Sequence, residues 1–297
     1  MREEILRGIA EEVKRVAGEG YEVQTQQVRK NNGVQLQAVI VRRPGEVVAP
    51  AVYVDGYIDM IAKEEMTMAE AGKKVFEVYE EHKEPKICKM IDGVTCKEFV
   101  LDHVEYQLVN KERNIDRVNS APHKDLLDLA ALYRVVVEAN EDETASYVLG
   151  NDLFERIGVS IEELDEAAAR NTESVGFVVK TMAQVMAEMM GFSEEMEDCM
   201  GEGPQMYVLT NERKQNGASI LMCGRQLAAL ADKLDDDFYI LPSSIHEVLA
   251  VPASQMNYEE LKQVVKDVND TQVSDEEILG YEVYRYDREA GEIVDAV

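Results

Sequence analysis

Apolar residues recur along this chain with two periods, and the change from one to the other marks out its elements. Ile5, Ile9, Val13 and Val16 return at helical spacing, which predicts an amphipathic helix from Arg2 to Ala17, ended by Gly18 and Gly20. From Tyr21 to Lys30 the period drops to two. Asn31-Asn32-Gly33 then reads as a tight turn, and Val34 to Val41 as the returning strand of a hairpin closed by Pro44-Gly45. Ala51 to Val54 is a further strand and Asp55-Gly56 turns it. Tyr57 to Ala62 is a short helix, and Thr67 to His82 a longer one that turns Ala71, Val75, Val78 and Tyr79 inward.

The middle of the chain is less regular. Lys83 to Lys97 reads as a connection holding a helical turn, Phe99 to His103 as helix and Val104 to Val109 as strand. Asn110 to Arg117 is charged and suits one more helical turn. Ser120 to Asp125 is read as a turn, and Leu126 to Val137 is a strong apolar run. Glu141-Asp142-Glu143 turns the chain into a strand over Thr144 to Leu149. Asn151-Asp152 caps a helix over Leu153 to Ile157. Ser160 followed by Glu163 is a capping box that opens a helix over Ile161 to Asn171, and Thr181 to Met190 is helical again. Ser193 to Pro204 holds acids, glycines and a proline with no base, so it is read as a linker.

The stretch Gln205 to Pro252 reads as a folding unit of order β-β-α-β-β. Its strands are Met206 to Leu209, Ala218 to Met222, Phe238 to Leu241 and Val248 to Val251. Its helix opens at Gly224 and turns Leu227, Leu230, Ala231 and Leu234 to one face. The first pair is predicted as a hairpin around Asn216-Gly217, and the near-continuous apolar strands are expected to be buried on both faces. A helix over Tyr258 to Val268, a last helical turn capped at Ser274, and a strand over Glu282 to Tyr286 follow. Gly291 to Val297 reads as a loose tail. The expected fold is α+β: mostly antiparallel sheets covered by helices, with residues 1–200 and 201–297 as two regions able to pack as one body. Tyr147-Val148-Leu149 echoes Tyr207-Val208-Leu209, and Ser120-x-x-His123 echoes Ser243-x-x-His246, as two related halves would.

Charge narrows the function classes. The 297 residues carry a formal net charge of −28. That excess of acid repels phosphate backbones and anionic membranes, so direct nucleic-acid or membrane binding is not expected. It suits plain solubility, or a basic protein partner. The first residues lead straight into an amphipathic pattern and no apolar run approaches 18 residues, which predicts a cytoplasmic protein. Cys88, Cys96, Cys199 and Cys223 lack C-x-x-C spacing and read as free thiols. A zinc site from Cys88, Cys96 and His82 would need unusual spacing. The six methionines between Met182 and Met200 fit a helical core face or an adaptable surface.

Candidate chemistry is sparse. His123 with Asp125 and His246 with Glu247 are the His–carboxylate pairs beside turns; each could supply a general base or a metal ligand, or simply cap a turn. Ser243 and Ser244 sit too close to His246 in sequence for a triad. No Walker loop, G-x-G-x-x-G, H-E-x-x-H or G-x-S-x-G occurs, so no cofactor or metal is called for. Arg225 at a helix start could meet an anion or act as a surface cap. Asn211, Arg213, Lys214 and Asn216 lie in the predicted hairpin tip and are candidates for partner contact.

Met206 to Asn211, Asp237 to Val248 and Pro122 to Ala130 resemble DUF5688, a domain-of-unknown-function family of clostridial gut bacteria. More distantly they resemble the YtpQ-like proteins of bacilli. The resemblance runs from the Asn31-Asn32-Gly33 hairpin to Tyr284-x-Tyr286-Asp287. It implies a bacterial protein and brings no catalytic residues. The leading expectation is a non-enzymatic binding or adaptor module with an acidic surface, free of any deep pocket lined by His and acid. The alternative is a hydrolase or metal-dependent enzyme in which His123/Asp125 and His246/Glu247 converge on one cleft. A nucleic-acid mimic is third, and the wide scatter of the acids counts against it. The sequence leaves the oligomeric state open.

Overall fold

The computed structural model describes residues 1–43, 49–82, 93, 95–139, 144–191 and 205–296. The chain divides into two compact units, Met1–Asp92 and Gly93–Val297.

The first unit follows the expected order. Helix α1 (Arg2–Ala17) is followed by the antiparallel strands β1 (Glu22–Arg29), β2 (Gln35–Arg42) and β3 (Ala51–Tyr53), then α2 (Asp55–Ala62) and α3 (Met68–His82). Asn32 at φ 56° makes the tight turn of the hairpin. Ile5, Ile9 and Val13 of α1 meet Val39 and Val41 of β2 and Ala71, Val75 and Tyr79 of α3 in one apolar core. Thr67 and Glu70 cap α3 reciprocally. The Glu70 carboxylate accepts from the Thr67 N–H at 2.9 Å, and the Thr67 hydroxyl oxygen accepts from the Glu70 N–H at 3.2 Å.

The described residues of the second unit form two antiparallel sheets. One contains β4 (Val104–Asn110), β5 (His123–Leu126), β6 (Leu129–Ala139) and β7 (Thr144–Val148). β4 lies along one edge of β6; β5 and β7 lie end to end along the other. The other sheet has the order β13-β12-β10-β11-β9-β8, from β8 (Phe177–Thr181), β9 (Tyr207–Asn211), β10 (Phe238–Leu241), β11 (Val248–Pro252), β12 (Tyr284–Asp287) and β13 (Glu292–Asp295). The helices are α4 (Lys97–His103), α5 (Ile115–Asn119), α6 (Asn151–Ile157), α7 (Ile161–Ser174), α8 (Met182–Met190), α9 (Gly224–Leu234) and α10 (Tyr258–Gln272).

Strand period two assigns the faces. Leu129, Ala131, Tyr133 and Val135 of β6 join Tyr106 and Leu108 of β4, Leu164 of α7, Leu227 of α9, and Leu209, Phe238, Ile240, Tyr284 and Tyr286 of the larger sheet in the main core. Ala130 and Leu132 face the other way, onto Val109, Val118 and Ala121. β6 is therefore buried on both faces, which is why it reads as a strongly apolar run broken from Leu129 to Val137 by Arg134 alone. The far face of the larger sheet packs Leu241 and Val251 on Leu261 and Val265 of α10.

The α+β class, with antiparallel sheets and covering helices, matches the reading of the sequence. Several local expectations are corrected. Residues 217–222 form a 3-10 helix instead of a strand, so the unit runs β-α-β-β from β9 to β11. β9 already has β11 on one edge and β8 on the other, which leaves no edge for a hairpin partner. β8 was not anticipated. The expected turn at 120–125 gives way to β5 from His123 onward. The supposed loose tail forms β13, brought back onto β12 by a turn in which the Gly291 N–H donates to the Asp287 carbonyl at 2.8 Å. The linker expected at 193–204 lies outside the described residues, as do the turn at 141–143 and most of 83–97. A boundary near residue 200 would fall inside the second unit and would separate β8 from its partner β9. Among the described residues no helix is long and apolar enough to cross a membrane.

Candidate functional site

The site with unusual physics is built where α4 runs into β4. Asn171 on α7 fixes this junction. Its side-chain amide donates to the carbonyls of Leu101 and Val104, both at 2.9 Å, and the neighbouring Thr172 hydroxyl accepts the Tyr106 N–H at 2.9 Å. Asp102 and His103 end α4, and Glu105 is the second residue of β4.

Glu105 points to the face of β4 opposite Tyr106. On that face its direct cross-strand partner is Arg134 of β6. Both are more than nine-tenths buried. Arg134 Nη2 donates to Glu105 Oε2 at 3.3 Å, and Arg213, from the turn after β9, donates through Nη1 to Oε1 at 2.8 Å. One carboxylate thus holds two guanidinium groups, one deeply buried and one a third exposed. Burial pushes the Arg134 pKa down while the charge of Glu105 and its hydrogen bond pull it back up. Taking such a pair out of water is costly, so the two charges depend on each other.

A cavity of about 410 Å³ opens beside this pair, lined by Asp102, His103, Glu105, Asn171, Ser174 and Arg213, with Val136 and Val137 of β6 as its apolar wall. The His103 ring stacks on Phe99 with centroids 3.9 Å apart, and its Nδ1 lies 2.9 Å from the Phe99 carbonyl. A carbonyl only accepts, so Nδ1 carries the proton and Nε2 of the neutral ring is an acceptor. The Ser174 hydroxyl donates to the Asn171 carbonyl at 2.7 Å.

The predicted residues lie elsewhere, with one exception. His123 stands at the start of β5, its Nδ1 3.0 Å from the Ala121 carbonyl and its Nε2 3.7 Å from Asp125, whose carboxylate takes Lys111 at 2.9 Å. His246 lies in the connection between β10 and β11. Its Nδ1 accepts the Asn216 N–H at 3.2 Å, and its nearest carboxylate is Glu277 at 3.6 Å, in place of Glu247. The two histidines belong to different sheets: His123 is tied to its own turn, while His246 reaches across to Asn216 and Glu277. Asn211 and Asn216 are buried: the Asn211 side chain closes the turn onto Gln215, and Asn216 adopts φ 53°. Lys214 points outward, and Arg213 is the member of that group that reaches the cavity. Arg225 is paired with Glu173.

A second polar centre sits on the core face. Tyr106 and Tyr133 both donate to Asp165 Oδ1, at 2.6 and 3.0 Å, and Lys124 donates to Oδ2 at 2.9 Å. Burial pushes the Asp165 pKa up, but these hydrogen bonds outweigh it and hold the group below its ordinary value. Cys223 is buried and its thiol is pushed up to about 11, mainly by desolvation; Cys96 is exposed, while Cys88 and Cys199 lie outside the described residues. Among the described residues no group of three or more His, Cys, Asp or Glu is placed to hold a metal ion. On α8, Ala187 is buried while Met186, Met189 and Met190 are exposed, so these methionines do not form a core face.

Sequence reading missed Glu105, Arg134 and the cavity. A signal was there: Arg134 is the lone charge in the apolar run from Leu129 to Val137, and Glu105 is the charge in the strand predicted over Val104 to Val109. A charge in a doubly buried strand needs a partner. Finding that partner required the register. No curated protein and no solved structure matches this chain. A family model does match, over residues 2–288, and the chain belongs to that family of unknown function, DUF5688.

Proposed function

We propose that this protein is a binding module that engages a basic protein partner, with the cavity beside Glu105 as the point of attachment. The composition of that cavity carries the reading. Its walls carry the carboxylates of Asp102 and Glu105 against a single guanidinium, that of Arg213, which is already bonded to Glu105. A donor-rich ammonium or guanidinium group complements such a wall, and a chain of net charge −28 steers cations toward it. An acid-lined cavity stands where the sequence predicts none, and a basic partner suits it. Enzymatic hydrolysis is less well supported. His123 and His246 are held by separate sets of partners, and the Ser174 hydroxyl is directed to a backbone carbonyl instead of a base.

The test is a titration of the protein with short, otherwise uncharged peptides bearing one central arginine, lysine or glutamate, followed by amide chemical shifts at low and at physiological salt. Binding of the basic peptides, with shifts centred on residues 102–105 and weakened at least about threefold by Asp102→Asn, supports the reading. Shifts scattered over the surface, or preference for the glutamate peptide, would end it.

A further inference from the structure

We infer that Arg213 is a built-in occupant of this site: its guanidinium holds the place on Glu105 that an arginine of the partner takes when it binds. The inference rests on the binding reading above and adds a ligand class and a means of regulation to it.

The two arginines on Glu105 are not equivalent. Arg134 is its cross-strand neighbour in a sheet buried on both sides, and its side chain is only 7% exposed. Arg213 arrives from a turn 108 residues away in sequence, its side chain is 33% exposed, and it meets Glu105 through Nη1. That turn is held by the Asn211 side chain, which donates to the Gln215 carbonyl at 2.9 Å and accepts the Gln215 N–H at 3.3 Å, and by the Lys214 N–H, which donates to the Asn211 carbonyl at 3.0 Å. The backbone of the loop therefore keeps its shape whether or not the Arg213 side chain is docked.

Exchange of one guanidinium for another conserves both charge and hydrogen bonds. Glu105 keeps two cationic partners, Arg134 never faces an unpaired carboxylate, and the displaced Arg213 moves to water, where it is already partly solvated. The incoming group also gains what Arg213 does not use: Asp102 and His103 line the same cavity, and neither is bonded to Arg213. Val136 and Val137 offer an apolar wall to the stem of the side chain. A planar guanidinium fits this exchange better than a lysine ammonium, because it replaces Arg213's single N–H on Glu105 Oε1 like for like and keeps further N–H groups for Asp102.

Arg213→Ala opens the site, and Lys214→Ala, one residue on, removes the same unit of charge without touching Glu105. Arginine-peptide affinity is measured for the native protein and both variants, with thermal melts to verify that each folds and Arg213→Gln as a second variant should alanine perturb the turn. Tightening of about fivefold in Arg213→Ala, with less than about twofold in Lys214→Ala, is the expected result. Equal tightening in both variants would reduce the effect to net charge and overturn the inference while leaving the binding reading intact. Unchanged or weaker binding in both Arg213 variants would also overturn it. A glutamate peptide or inorganic phosphate that binds the native protein and loses affinity on Arg213→Ala would make Arg213 an anion-contacting residue instead. If no form binds the arginine peptide, the binding reading and the inference fall together.

Discussion

The two units bury different things. Among the described residues of the first, Asn31 is the buried polar side chain, and the interior is built from Ile, Val, Leu, Ala and Tyr of α1, β2 and α3. The second buries Glu105, Gln107, Asn114 and Arg134 alongside its apolar core, and the cavity lies in it. Apolar burial is non-directional and stabilises any well-packed arrangement. A buried ion pair stabilises only the arrangement that brings its partners together. The contrast points to a first unit shaped by packing and a second shaped around a polar site that costs stability to keep.

The strongest way to break that contrast is to remove one buried charge. Arg134→Ala should destabilise the second unit by about 3–5 kcal/mol, because it leaves Glu105 inside with Arg213 as its remaining partner. The double variant Glu105→Met with Arg134→Leu should recover most of that loss. Denaturant melts of the single and double variants decide it; a double variant as unstable as the single would show that the pair is needed for stability itself.

A pair of glycine substitutions sharpens the comparison. A Cβ at Gly217 would stand 2.3 Å from the Thr210 hydroxyl, 2.4 Å from the His246 carbonyl and 2.8 Å from the Asn211 nitrogen. Two of those atoms are backbone, so Gly217→Ala should cost about 3 kcal/mol. At Gly72 the added carbon would meet Glu12 Cβ at 2.6 Å and the α1 backbone at 3.1 Å, where α3 crosses α1. Gly72→Ala should cost about 2 kcal/mol. Hydrogen exchange should show each loss confined to its own unit: α1 and α3 for Gly72, β9 and its neighbours for Gly217. Loosening of both units by either change would erase the distinction.

The smallest effect concerns pH. Asp165 titrates below its ordinary value in the folded chain, so its contribution is present above the unfolded carboxylate pKa of about 4 and is lost as pH falls through the lower folded value. Asp165→Asn should cost about 1 kcal/mol at neutral pH, since solvent screens a half-buried group. The gap to the native protein should close below about pH 4. A gap of constant size down to pH 2 would show that the carboxylate charge contributes nothing there.

How much of this was legible beforehand depends on the range of the interactions involved. Helix α1 and the β1–β2 hairpin were readable because apolar spacing, Asn32 and Gly33 act within a few residues. The same logic misled at 218–222, where an apolar run looked like a strand. Its conformation is set by Gly217 packing under the His246 carbonyl, and by β8 occupying the edge of β9 that a hairpin would have used. The His–carboxylate pairs are neighbours in sequence, and nearness holds for His123 with Asp125 but fails for His246, whose partners Asn216 and Glu277 come from distant turns. Glu105, Arg134 and Arg213 are separated by 29 and 79 residues, and neither helical nor strand periodicity carries information over that distance.

By itself the sequence determined the α+β class, most of the helices, the family and the large negative charge, because periodicity, capping, turn chemistry and composition are local or additive. Only the tertiary structure decided which strands are neighbours, which apolar run coils into a 3-10 helix, and that a lone arginine in β6 stands opposite a lone glutamate in β4. Strand register depends on the packing of whole faces, and the partners of a buried charge exist only once that register is set.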